Sequence, residues 1–153
     1  MDALRSVGRS DLSVGRLFEG HVNALALFDW YADPAQKAWL GKVLAQGAWF
    51  GVWATEPPPG VRLVGARLQG TKMFATGAGG LEYAIITAQP EQGERELIVM
   101  PANAPERADL SGWRVRGMRA TTSGRYEVTG LTVDADQRLG RPGDYDREPR
   151  FTA

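Results

Sequence analysis

The 153-residue sequence has no cysteine and only one histidine, His21. Without cysteine it can form no disulfide, no thiolate nucleophile and no zinc ribbon, and one histidine is too few for a two-histidine metal site. We therefore expect no cysteine catalysis and no bound metal. His21 falls close to the apolar stripe of a predicted helix, where a half-buried, hydrogen-bonded histidine is more common than a catalytic base.

Neither sign of charge is in excess, because 18 Lys and Arg residues balance 18 Asp and Glu residues. Such a chain has no net positive field to hold a phosphate backbone or an anionic membrane, so we expect no nucleic-acid partner. Long hydrophobic runs are also lacking, since no stretch reaches the roughly 18 apolar residues of a membrane span. Residues 1–16 lack the apolar segment of a signal peptide. These absences predict a soluble, cytoplasmic protein without a membrane span.

The first third of the chain has the pattern of two helices. Apolar residues recur at three- and four-residue steps from Val14 onward, as on one face of an amphipathic helix. Polar residues at 10–13 can cap its start. Asp33, followed by proline and, three positions on, by glutamine, predicts the N-cap of a second helix. Residues 11–46 are therefore expected to form a helical hairpin.

Beyond Gly47 the sequence changes to short β-branched and aromatic runs separated by Gly and Pro, which is typical of strands. Because no helical segment lies between these runs, we expect antiparallel pairing and no parallel sheet. Hairpins are expected at residues 68–72 and 89–95. The predicted fold class is α+β, with an N-terminal helical hairpin followed by an antiparallel β-barrel or sandwich domain.

Three features that could suggest a site are interpreted as structural. Gly77–Gly80 follows a predicted strand, as a dinucleotide-binding loop does, but a strand and not a helix comes next, so we interpret it as a hairpin turn. Ser123 lacks the G-x-S-x-G context of a hydrolase nucleophile and is interpreted as a turn residue. The arginines between residues 114 and 125 are interpreted as the solvated face of a sheet.

Two other segments carry more information about function. Thr55-Glu56-Pro57 closes one predicted strand, and the stretch from Lys72 to Thr76 ends another. Together they bring hydroxyls and an aromatic ring to the rims of adjacent strands. Such a combination suits a planar, hydrogen-bonding ligand.

The order of four motifs along the chain resembles the acyl-CoA dehydrogenase superfamily. They are T-E-P at 55–57, G-x-K-x-[WF]-x-T at 70–76, the strand EYAIITA at 82–88 and G-x-R-x-T-x-S-G at 117–124. The resemblance covers nearly the whole chain. By it, residues 1–47 are part of an N-terminal helical domain and residues 48–145 are the middle β-domain. Residues 146–153 are a truncated tail toward a C-terminal helical domain that is absent from this chain.

This resemblance implies a flavin-dependent oxidoreductase that uses FAD to dehydrogenate an acyl thioester, such as acyl-CoA, between its α and β carbons in fatty acid metabolism. The family's catalytic carboxylate lies in the C-terminal domain, so no catalytic residue is assigned here. The chain is expected to be an incomplete piece that binds flavin weakly or needs a partner, either a second copy or a companion helical subunit. Trp49, Trp53 and Phe74 are expected on the apolar surface that this partner covers.

The implied flavin-binding residues are Trp53, Ala54, Thr55, Phe74 and Thr76. By their motif positions, the three consecutive residues on the first strand would meet the pyrimidine side of the flavin. Phe74, where the family usually has Trp, would cover the isoalloxazine ring. The Thr76 hydroxyl would lie near N5 or O4, where a neutral hydroxyl can hydrogen-bond the flavin in either redox state.

The chain departs from the family just after T-E-P. The usual x-x-G-S-D is replaced by Pro58-Pro59-Gly60 followed by Val-Arg, so the Ser-Asp pair is missing. In the family this serine lies near the flavin pyrophosphate or the acyl thioester, and its loss points away from an ordinary acyl-CoA substrate. Two alternatives therefore stand beside the dehydrogenase. One is a reduced-flavin-dependent monooxygenase of the same fold, which residues 118–124 also resemble, and the other is a non-catalytic assembly module.

Overall fold

The computed structural model describes residues 2–147. Its helices are α1 (Asp2–Ser10), α2 (Leu12–Tyr31), α3 (Pro34–Ala45) and a short α4 (Asp144–Arg147). The strands are β1 (Phe50–Trp53), β2 (Arg62–Val64), β3 (Arg67–Gln69), β4 (Thr71–Ala75), β5 (Tyr83–Pro90), β6 (Glu96–Pro101), β7 (Ala108–Asp109), β8 (Gly124–Glu127) and β9 (Arg138–Leu139). Single turns of 3-10 helix lie at Pro105–Arg107, Arg119–Thr121 and Ala135–Gln137.

The strands form two sheets. The larger has the order β3-β2-β5-β6-β9, with β1 also paired to β5, and the smaller has the order β4-β8-β7. β5 and β6 pair antiparallel through the hairpin predicted at 89–95. β1 and β2 instead pair with β5 in parallel, with Phe50 opposite Tyr83 and Arg62 opposite Gln89. The α+β class is as predicted, but the expectation of no parallel pairing is wrong, because the chain between β1 and β5 passes through the second sheet and needs no crossover helix.

Two predicted hairpins are in fact links between the sheets. β3 pairs with β2 and β4 pairs with β8, so residues 68–72 form no hairpin. Gly70 makes the change of direction with φ +120°, and a Cβ atom there would lie 2.9 Å from the Gly60 carbonyl oxygen. Gly77–Gly80 is a turn, but it leads from β4 in the smaller sheet to β5 in the larger. Local turn chemistry does not say which strands a turn will join.

The helical hairpin predicted for residues 11–46 is present as α2 and α3. Asp11 caps α2 by accepting from two main-chain N–H groups of its first turn, and Asp33 forms a capping box with Gln36 at the start of α3. The helix α1, which has no buried residue, was not predicted from the sequence. It crosses α2 closely, because a Cβ atom at Gly15 would lie 2.8 Å from the backbone of α1. None of the helices in the described range is long and apolar enough to cross a membrane.

β5 is buried on both faces and separates two hydrophobic cores. Ile86 belongs to the core between the two sheets, together with Trp53 and Tyr126. Ile85 belongs to the core between the larger sheet and the helices, together with Phe28. Successive side chains of a strand point to opposite faces, so a continuous apolar run is what a strand covered on both sides requires.

Candidate functional site

A groove of about 250 Å³ lies between α2 and the ends of β1 and β4. Its strand side includes Trp53, Ala54, Thr55, Phe74 and Thr76. These are the five residues that the family resemblance implied, and the fold brings them together although β1 and β4 belong to different sheets. The helix side is formed by Arg16, Leu17, Glu19, Gly20 and Asn23.

Phe74 is held in an unusual conformation at the rim of this groove. The pairing of β4 with β8 shifts between Lys72 and Ala75, so the strand bulges at this point. Phe74 has φ +52°, a left-handed conformation that disfavours bulky side chains by about 1–2 kcal/mol. Its side chain is 60% exposed. The bulge therefore presents a large aromatic ring to solvent, which is a feature of functional sites more than of folding cores.

Trp53 lies beneath the groove and is 2% exposed. The expectation that it would sit on an exposed apolar surface is wrong, whereas Trp49 and Phe74 are exposed. Its indole Nε1 donates a hydrogen bond to the Thr76 carbonyl oxygen at 3.0 Å, and its ring packs on Tyr126 with centroids 5.0 Å apart. Trp53 therefore serves as the floor that positions the main chain of Thr76.

The hydroxyls of Thr76, Ser123 and Thr121 form a buried series of hydrogen bonds. Thr76 Oγ1 lies 3.0 Å from Ser123 Oγ, Ser123 Oγ lies 2.9 Å from Thr121 Oγ1, and Thr121 Oγ1 donates to the Met118 carbonyl oxygen at 2.9 Å. All three threonine and serine side chains are buried. Ser123 is therefore a buried partner of a groove residue and not a simple turn residue. The run Thr121-Thr122-Ser123 before β8 was the signal in the sequence that could have indicated this contact, because residues two apart can point to the same side.

Glu56 and Lys72 connect the two strands whose ends form the groove. Lys72 is fully buried, and its ammonium group donates to the Glu56 carboxylate and to Thr87 Oγ1, the latter at 3.0 Å. Burial lowers the pKa of Lys72 to about 8, although the hydrogen bond and charge of Glu56 act to raise it. Arg95 Nη1 lies 3.9 Å from the outer carboxylate oxygen of Glu56. The T-E-P glutamate and the motif lysine are thus structural partners.

The segment after Glu56 forms a shallow depression edged by Arg95. Pro57, Pro58 and Pro59 have no main-chain N–H, and the first N–H after them, that of Gly60, is used in a turn to the Pro57 carbonyl oxygen at 2.8 Å. The segment therefore has neither the hydroxyl nor the free N–H groups with which a loop holds a phosphate or a thioester oxygen.

His21 joins α2 to the start of β1 below the groove. Its Nδ1 accepts a hydrogen bond from the Phe50 N–H at 3.1 Å, and its ring packs against Trp49 with centroids 4.9 Å apart. Burial lowers the pKa of His21, which favours the neutral form that an accepting Nδ1 requires. This confirms the interpretation of a half-buried, hydrogen-bonded histidine. Among residues 2–147 no group of three or more potential metal ligands is found.

Comparison with known proteins gives relatives of two kinds, while no family model matches the chain. A dibenzothiophene monooxygenase of Mycolicibacterium goodii is 27% identical over 162 residues, which cover 93% of this chain and 38% of that protein. The structure of the dibenzothiophene monooxygenase TdsC of Paenibacillus sp. A11-2 with FMN and indole superposes with a TM-score of 0.81 at 26% identity, covering 94% of this chain and 40% of that one. Butyryl-CoA dehydrogenase of Megasphaera elsdenii superposes with a TM-score of 0.77 at 17% identity, covering 93% and 42%.

These comparisons confirm the resemblance to the acyl-CoA dehydrogenase superfamily, and the chain has the fold of that superfamily. It spans about two-fifths of the length of the relatives it matches. Both kinds of relative are oxidoreductases, and the TdsC complex contains a flavin. The sequence identity is higher to the monooxygenases than to the dehydrogenase. This favours the monooxygenase alternative over the dehydrogenase.

Proposed function

We propose that this chain is the flavin-facing part of a reduced-flavin-dependent monooxygenase with the acyl-CoA dehydrogenase fold. The observation that carries the proposal is the 27% identity to a dibenzothiophene monooxygenase across 93% of the chain. The likeness to butyryl-CoA dehydrogenase, at 17% identity, supports the fold alone. The dehydrogenase reading therefore has less support than the monooxygenase reading.

The chain's own residues agree with this choice. The proline segment beside Arg95 lacks the hydroxyl and the N–H donors that an acyl thioester or a pyrophosphate would need. A small aromatic heterocycle or sulfur compound needs neither, since such molecules are held mainly by apolar contact and a few polar groups. We therefore propose a substrate of this small, planar class in place of acyl-CoA.

The groove suits an isoalloxazine ring. Phe74 offers an exposed aromatic face, and the hydroxyls of Thr55 and Thr76 add polar groups at its edge. A reduced flavin bound here would supply the electrons for O₂ activation. In that role Phe74 would exclude water from one face of the ring, and Thr55 and Thr76 would orient its edge.

The rest of the site would come from outside these residues. We propose that a second copy of the chain or a helical companion covers the exposed Phe74 and Trp49, as the family resemblance implies. The chain alone would then bind flavin more weakly than a complete enzyme, because it offers only part of the contacts.

The proposal is tested by titrating the purified chain with FMN while its fluorescence and visible spectrum are followed. We expect saturable binding that Phe74→Ala and Thr76→Val each weaken by about tenfold, the effect of losing one well-placed contact. The matched control is Leu12→Ala, which also removes an exposed apolar side chain but lies outside the groove lining. Absence of flavin binding in the native chain would overturn the proposal.

A second experiment separates the two enzyme classes. With FMN bound, indole is expected to perturb the flavin spectrum, whereas butyryl-CoA is expected to leave it unchanged. The opposite pattern would restore the dehydrogenase reading and place the substrate of this chain among acyl thioesters.

A further inference from the structure

The direction of each hydrogen bond behind Thr76 follows from counting hydrogens. A hydroxyl group has one hydrogen to donate, and a carbonyl oxygen can only accept. Thr121 Oγ1 lies 2.9 Å from the Met118 carbonyl oxygen and must donate to it. The Thr121 hydroxyl is then left with lone pairs only for its second neighbour.

That second neighbour is Ser123, whose Oγ lies 2.9 Å from Thr121 Oγ1. Because Thr121 has already used its hydrogen, Ser123 must donate, and Ser123 can then only accept from Thr76 at 3.0 Å. The side chains of Thr76, Ser123 and Thr121 are 9%, 7% and 0% exposed. If Ser123 donated to Thr76 instead, lone pairs of Ser123 and Thr121 would face each other in a site with little water to separate them, which is costly.

We infer that Ser123 and Thr121 are positioning residues that turn the Thr76 hydrogen away from the groove and make Thr76 a hydrogen-bond acceptor toward the ligand. The inference rests on the proposed function and deepens it. A reduced flavin has a hydrogen on N5, whereas an oxidised flavin has only a lone pair there. The family resemblance places N5 or O4 of the flavin near Thr76, and of these two atoms only N5 of the reduced flavin carries a hydrogen. A Thr76 acceptor facing N5 therefore binds the reduced flavin more tightly than the oxidised one. This differs from the expectation that the Thr76 hydroxyl can hydrogen-bond the flavin in either redox state.

The test compares oxidised FMN with anaerobically reduced FMN for binding to the full chain and to three variants. The native chain is expected to bind the reduced form about tenfold more tightly, the effect of one satisfied hydrogen bond. Ser123→Ala leaves the Thr76 hydrogen free to rotate into the groove, and Thr121→Val frees Ser123 to donate to Thr76. Both variants are expected to bring the ratio of the two affinities close to one. Thr121→Ser keeps the hydroxyl chain and is the matched control, expected to retain the native ratio.

A redox titration gives the same quantity independently, because a tenfold ratio corresponds to about 30 mV in the potential of a two-electron couple. Equal binding of both redox states by the native chain, or an unchanged ratio in a natively folded Ser123→Ala, overturns this inference and leaves the proposed function standing. Failure of the native chain to bind either form overturns the proposed function. Neutron diffraction of the deuterated chain needs no flavin: a Thr76 deuteron directed at Ser123 supports the inference, and a Ser123 deuteron directed at Thr76 refutes it.

Discussion

The buried ammonium group of Lys72 is hydrogen-bonded to the carboxylate of Glu56, which follows β1 and the groove residue Thr55 in the chain. Lys72 lies on β4 in the smaller sheet, whereas β1 belongs to the larger one. The ion pair therefore crosses from one sheet to the other directly beside Thr55 and Phe74. The ion pair thus joins the two segments whose ends line the groove, although neither charged group lines the groove itself.

Replacing one member of this ion pair is expected to lower the free energy of unfolding more than replacing both members. Lys72→Met leaves the Glu56 carboxylate without its main partner and should lower the free energy of unfolding by about 3 kcal/mol. The double variant Lys72→Met with Glu56→Gln should recover most of that loss, since no uncompensated charge remains. Urea denaturation of the native chain, both single variants and the double variant measures the coupling. Strictly additive effects would show that the two groups do not interact.

Phe74 offers a test of whether backbone strain is retained for ligand binding. Phe74→Gly removes the penalty of a left-handed conformation, about 1–2 kcal/mol, from a side chain that is 60% exposed and buries little. We expect the free energy of unfolding to rise while flavin affinity falls. Phe74→Ala is the matched control, because it loses the ring but keeps the strained Cβ. If the glycine variant were less stable than the alanine variant, the strain argument would fail.

The stability of the protein should depend on pH through His21. Burial lowers its pKa in the folded state below the ordinary value of 6.5, so the unfolded chain takes up a proton first as the pH falls. The free energy of unfolding should therefore decrease below about pH 6.5 and level off once the folded state is also protonated. Denaturation between pH 7.5 and pH 5.5 measures this change. In His21→Gln, whose amide oxygen can still accept from the Phe50 N–H, the part of the pH dependence of the free energy of unfolding that is due to His21 should vanish.

Gln36 ties α3 to β9, the edge strand of the larger sheet, and to the 3-10 turn that precedes it. Its Nε2 donates to the carbonyl oxygens of Asp136 and Arg138 at 2.8 and 2.9 Å, and its Oε1 accepts from the Asp33 N–H. Gln36→Leu should lower the free energy of unfolding by about 2 kcal/mol, the sum of three modest hydrogen bonds. Asp33→Ala, which loses only the cap, should cost about 1 kcal/mol. Thermal unfolding compares the two, and equal losses would contradict the tethering role.

Local chemistry in the sequence was enough to predict the helical hairpin and most of the strands. The sheet face expected at the arginines between residues 114 and 125 is wrong, because Arg114, Arg116 and Arg119 lie outside any strand and only Arg125 is on β8. The cap at Asp33 and the alternation of turn residues with β-branched runs depend on neighbours along the chain, and the structure has both. The parallel pairing of β1 and β2 with β5 could not be predicted, because strand patterns report burial and not the identity of the partner. α1 was missed because it is only nine residues long and buries no side chain. Leu4 and Val7 share one face, but so short a segment has too few repeats to establish a helical period.

The groove lining was predictable from motif order, but the contacts behind it were not. All five implied residues line the groove, yet Trp53 lies under it and not on an exposed surface. Ser123 was interpreted as a turn residue from its local motif, and its partner Thr76, 47 positions away in the sequence, could not be inferred from that motif. The same holds for Glu56 and Lys72, whose pairing depends on two sheets meeting. Polar contacts between distant segments become visible only when the fold brings those segments together.

The parallel ladder between β1 and β5 also sets an order for events during synthesis. β1 leaves the ribosome well before β5, and it has no sheet to join until β5 has paired with β6, which ends at Pro101. Until then the apolar faces of α2, α3 and β1 have no lasting cover, since contacts between distant segments form late. Residues 11–53 thus keep apolar surface exposed during synthesis until the β5–β6 hairpin emerges.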